Sequence, residues 1–250
     1  MNKKIFTFRL APLTMAFAFL FATFAAPHTA QAQSLTPIQN ARCSNIQQFG
    51  TKVISNVRAS LPGMQAAFDK TIRDMNANWE REDIITTASR QITINGFTAS
   101  IDWSITLLQS ANKKAGLETY KKTVTDGLSE YYVNVDAAKA QYREDLMALV
   151  RDHHAKLLKL ANNYISDLTK ELDAAKKTCA NIGAGLAFTF KLLGAGAGYI
   201  ANVVAQDLDT IGQALKIIHT YWSSIVHEFG ILVNDVLTAI LRVLNVLIRG

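Results

Sequence analysis

Proline is almost missing from the body of this 250-residue chain: there are four, and none follows Pro62. Proline is the strongest interior helix breaker, so the remaining three quarters of the chain is free to run in long helices. Cysteine is as scarce, with Cys43 and Cys179 alone. They form no CxxC pair, which removes thioredoxin-type redox chemistry. The zinc pattern HExxH is absent. Gly194-Ala195-Gly196-Ala197-Gly198 lacks the Lys-Ser/Thr ending of a phosphate loop and follows no strand pattern, so its small residues read as a surface for close helix packing. Charge is scarce in one region only. Residues 33–179 carry 35 charged side chains and residues 180–250 carry eight, while eight of the thirteen glycines fall in the second stretch.

What is present begins with a leader. Lys3, Lys4 and Arg9 precede an uncharged run from Ala11 to Ala26, and Ala30-Gln31-Ala32 supplies the small-x-small site of a signal peptidase. The apolar run is shorter than the ~20 residues of a membrane span. The expectation is cleavage after Ala32, a mature chain starting at Gln33, and a secreted or periplasmic, cell-envelope location. Without the leader the net charge falls from +6 to +3. Lys113-Lys114, Lys121-Lys122 and Lys176-Lys177 are isolated pairs with acids nearby, which is solvated helix surface and not a nucleic-acid patch.

Apolar residues then recur at helical spacing. Thr36-Pro37 reads as a helix start, and Leu61-Pro62-Gly63 as its end. Met64, Phe68, Ile72, Met75 and Trp79 stack on one face. Ile84–Ile94 is compatible with helix or an extended connection. Phe97 to Leu108 and Leu117 to Tyr131 resume the period around an interruption at Gly116. From Asp136 to Cys179 the three- and four-residue steps are nearly unbroken, predicting a helix of roughly 65 Å. The steps drift from a strict heptad, so coiled-coil packing is only approximate. The fold class expected is all-α: an elongated bundle of long amphipathic helices with an apolar C-terminal helical segment. The division is 1–32 signal peptide, 33–180 amphipathic bundle and 181–250 low-charge segment. An even cysteine count in an exported chain predicts a Cys43–Cys179 disulfide bracketing the amphipathic part.

Within 181–250 three helical pieces are expected, Ile182–Gln206, Leu208–Phe229 and Ile231–Arg249, with Gly230 separating the last two. Asp209, Gln213, Lys216, Thr220, Ser223 and His227 form one narrow polar stripe, and Asn234, Thr238, Arg242, Asn245 and Arg249 form another. The rest of the circumference is apolar and must be buried in a bundle, packed on a partner or placed at a bilayer.

No catalytic, cofactor-binding or metal site is assigned. His153 lies in the apolar register and reads as a packed histidine; His154 points elsewhere, and His219 and His227 are about 12 Å apart along one helix. Glu82-Asp83 and Glu144-Asp145 are expected to diverge as helix neighbours. Asp152 beside His153 lacks the setting of an activated nucleophile. Trp79, Trp103, Tyr131 and Tyr132 could line an interhelical site but more often serve packing. The reading is an exported structural or protein-interaction protein without its own catalysis, with self-association or an unidentified protein as partner. The alternative is a membrane-active or pore-forming protein using residues 181–250.

Overall fold

The computed structural model describes residues 35–249 except Ile182; the leader and its cleavage site lie outside the described residues. Three helices account for nearly all of them: α1 (Leu35–Leu107), α2 (Ala111–Thr178) and α3 (Ala184–Arg249). At 1.5 Å per residue each is about 100 Å long. The bundle is therefore elongated and all-α.

The helices are longer than the sequence periodicity suggests, because four expected breaks do not occur. Helix α1 runs through Pro62. Pro62 and Gly63 both lie on the exposed side, where water can take over the carbonyl that proline leaves without a partner. Ile84–Ile94 is helical throughout. Gly116 and Gly230 lie inside α2 and α3, and the three C-terminal pieces are one helix. Isolated glycine costs a helix only about 1 kcal/mol, too little to end one held by a neighbour.

The described part of the chain turns twice. Residues 108–110 join α1 to α2, and residues 179–183 join α2 to α3, where Gly183 adopts φ +89°. That left-handed conformation is what glycine permits without a Cβ clash. Arg42 donates to the Ala180 carbonyl at 3.1 Å, tying α1 to this second turn. The Cys43–Cys179 disulfide closes the same end, with Cα atoms 4.9 Å apart, as the cysteine count predicted.

Beside it lies the best-buried core. Ile46 and Ile54 of α1, Ile165, Leu168, Leu172 and Ala175 of α2, and Phe188 and Leu192 of α3 meet there. A Cβ on Gly50 would sit 2.5 Å from Leu172 Cδ1 and 3.0 Å from Phe188 Cζ. A larger residue at this point would force Leu172 and Phe188 to shift. Elsewhere α2 is the middle helix, and α1 and α3 barely touch.

The two seams of α2 differ in chemistry. Against α1 it forms a charged clasp: Asp83 accepts from both terminal nitrogens of Arg143 at 2.7 Å and from Lys139 at 2.8 Å. Glu82 lies 3.3 Å from the same lysine. The two acids therefore converge, contrary to the divergence expected of helix neighbours, because their long cationic partners reach across from α2. Farther along, Arg90 pairs with Asp136 and sits over the Tyr132 ring, and Lys121 pairs with Asp102 at 2.6 Å. Against α3 the contacts are mostly apolar and aromatic. Tyr164 stacks on Tyr199 and Tyr142 on Tyr221, with centroids 4.8 and 4.7 Å apart. At the far end Gly116 lets Val246 approach closely.

The clasp makes stability pH-dependent with a defined sign. Arg143, then Lys139, hold the Asp83 carboxyl far below the usual carboxylate range. A depressed carboxylate stabilises the fold above its unfolded value, about 4, and that contribution drains away as pH falls below it. Denaturant midpoints measured from pH 7 to pH 2 should fall less steeply for Asp83→Asn than for the parent. Parallel profiles for the two proteins would refute the assignment.

Candidate functional site

His153 bridges α2 and α3: its Nδ1 shares a hydrogen bond with the Thr210 hydroxyl at 2.8 Å, and its Nε2 faces Asp207 at 3.3 Å. Burial depresses its pKa against the opposing pull of Asp207, and it serves as a joint between the two helices. His154 turns to α1, stacking on Phe68 with centroids 4.1 Å apart and sharing a hydrogen bond with Gln65. The adjacent histidines thus secure both flanks of the middle helix. His219 and His227 are exposed. Among the described residues, no group of three or more His, Cys, Asp or Glu is placed to hold a metal.

The aromatic candidates do not converge. Trp79 lies under the Arg143 guanidinium and Trp103 is exposed. Tyr131 and Tyr132 line an open groove of about 320 Å³ with Ile85, Ser89 and Arg90. A second open groove, about 300 Å³, lies between α2 and α3 beside Gly116, Tyr120 and Arg242. Neither is an enclosed cleft in which a small ligand loses most of its water contact. Glu144, Asp145 and Asp152 lie on α2, where Asp145 accepts from Gln141 and Asp152 pairs with Lys156, each within one helical turn. Gly194 and Gly198 also differ from expectation: nothing comes within 4 Å of a Cβ built on either, so they permit no close packing here.

The feature that stands out is a face. Helix α3 has three sides. One, through Leu192, Thr210, Tyr221 and Ala239, packs on α2. A second carries the exposed polar groups Asp209, Gln213, Lys216, Thr220, Ser223, His227, Asn234 and Asn245, close to the polar stripes read from the sequence. The third is apolar and also exposed. It includes Leu186, Phe190, Ile200, Leu208, Leu215, Trp222, Phe229, Leu237, Leu244 and Ile248.

The expectation that residues 181–250 would bury their apolar surface is therefore met on one side only. Ala184–Ile248 reaches a mean hydropathy of 2.0 in its most apolar stretch, of which only 6% is buried. It is the one described helix long and apolar enough to cross a membrane. At roughly 93 Å by 10 Å, the third face is on the order of 900 Å², beyond the 300–600 Å² of the largest apolar patch on an ordinary monomer. The signal was available in the sequence as three- and four-residue steps from Leu186 to Ile248. What periodicity lacked was whether a neighbour covered them.

No protein-family model matches this chain, and no curated protein matches it at a significant level.

Proposed function

We propose that this is an exported, non-catalytic, membrane-active protein whose α3 supplies the lipid-binding surface, while α1 and α2 form its polar support. The exposed apolar face of α3 carries this reading. An open face of that size is an aggregation liability in water and an asset at a bilayer. It also favours the second of the two readings drawn from sequence, because packing within the bundle leaves the face uncovered. The leader supports export, and the disulfide suits an oxidising compartment.

Flotation of the full-length mature chain with lipid vesicles, accompanied by release of an entrapped dye, tests the proposal. The protein is expected to rise with the vesicles. Dye release would place it with pore-forming or bilayer-disrupting proteins, and flotation without release with membrane-bound scaffolds. Protein that stays in the dense fraction and releases no dye would sink the reading and restore protein interaction as the better one.

A further inference from the structure

We infer that α3 lies flat in the surface of a bilayer along its whole length, and that it needs no anionic headgroup to do so. This rests on the membrane reading above and adds to it an orientation and a lipid chemistry.

Length is the first argument. The face from Leu186 to Ile248 is about 93 Å long, three times the ~30 Å of a bilayer's hydrocarbon core. A helix that crossed the bilayer would leave most of the face in water, whereas one lying in the plane covers all of it.

Charge placement is the second. Lys191, Asp207, Asp209, Lys216, Glu228, Asp235 and Arg242 punctuate the helix, and its longest uncharged run is residues 192–206. That is shorter than the ~20 residues a span needs, so crossing would draw a charge into hydrocarbon. In the plane none need enter. Lys191, Asp209, Lys216, Asp235 and Arg242 lie off the apolar face. Asp207 and Glu228 are directed at α2, where they meet His153 and Asn134.

The pitch of the face is the third. Its exposed positions advance by about 3.65 residues per step, against the 3.5 of a left-handed coiled coil. Such a stripe drifts by only about a quarter turn along a straight helix and so matches a plane. A partner helix in a left-handed supercoil, including α3 of a second copy, would diverge from it.

Neutrality settles the lipid class. Four basic and four acidic residues cancel on α3, and no basic cluster flanks the face. Interfacial helices that rely on anionic lipid carry Lys and Arg on their polar side. Here apolar burial must supply the attraction, and the face is already open, so the α2–α3 seam need not part.

Tryptophan depth tests this on the full mature chain with its disulfide intact. Trp79→Phe with Trp103→Phe leaves Trp222 on the face. Adding Trp222→Phe with Phe190→Trp, Phe229→Trp or Leu241→Trp moves the reporter along it. Vesicles of phosphatidylcholine brominated at shallow or deep acyl positions are the probe, with phosphatidylglycerol added in a parallel series. All four reporters are expected at one shallow depth, roughly 5–10 Å into the boundary. Affinities should agree within about threefold between lipids and between low and high salt. A gradient of depths with one reporter at the bilayer centre would overturn the flat orientation. A tenfold preference for anionic vesicles that salt removes would overturn the lipid assignment. Reporters shielded from aqueous iodide in lipid-free protein of doubled mass would make a second copy the occupant of the face. Failure of every variant and of the parent to float would instead defeat the membrane reading itself.

Discussion

Reducing the Cys43–Cys179 bond is expected to lower the melting temperature by roughly 10–20 °C. The bond closes a loop with a sequence separation of 136. In the chain-entropy account, restraining an unfolded loop of that size stabilises the fold by about 5 kcal/mol, near the top of the observed range. A domain of this size shifts by about 2–4 °C per kcal/mol. The location of the bond favours the high end. It joins the start of α1 to the end of α2 beside the core of Leu168, Leu172 and Phe188. Farther away, the α1–α2 seam depends on exposed or half-exposed ion pairs such as Arg90–Asp136 and Lys121–Asp102, each contributing little net stability. Thermal melts followed by far-ultraviolet circular dichroism, with and without reductant and for Cys43→Ser/Cys179→Ser, provide the measurement. A shift below about 3 °C in both would show that the hairpin holds itself and that the disulfide serves something other than stability.

The parts of this fold that were legible in sequence are those set by local chemistry. The unbroken apolar steps from Tyr142 to Cys179 state a long helix, and it is present within α2. Two cysteines at the ends of the amphipathic part state a crosslink, and it is formed. The helix ends were misread where a local rule was outvoted by a neighbour. Pro62 and Gly230 lower helix propensity by amounts that packing along an entire rod can override. Gly50 has a packing reason that no local rule reveals, since Leu172 and Phe188 crowd the place of its missing Cβ. The convergence of Glu82 and Asp83 on Lys139 was hidden for a similar reason: it depends on which residues of another helix come opposite. The open face of α3 belongs to this class too. A sequence shows that Leu208, Leu215 and Trp222 share a side; only the arrangement of three rods with α2 in the middle shows that nothing covers it.

That distinction gives the second large effect. Leu208→Lys, Leu215→Lys and Trp222→Lys combined are expected to reduce vesicle partitioning by at least about 100-fold while leaving the fold intact. Each site is well exposed, at 64, 61 and 59%, so the lysines meet water in the lipid-free protein and remove little packing. On the bilayer each would forfeit apolar burial of on the order of 1–3 kcal/mol and would also hold an ammonium near the hydrocarbon, relieved only in part by snorkelling. A loss of about 1.4 kcal/mol is tenfold in an equilibrium constant, so even the smallest of these values, summed over three sites, gives about 100-fold. The control is the wet side of the same helix. Gln213→Lys, Thr220→Lys and Ser223→Lys add the same charge at exposed positions and should leave partitioning within a few-fold of the parent. Both triple variants should melt within a few degrees of it, since neither alters the Tyr142–Tyr221 stack or the His153–Thr210 contact. Equal losses from the two faces would mean that added charge, and not the apolar face, governs binding. Unimpaired flotation of the first variant would place the lipid contact elsewhere on the bundle.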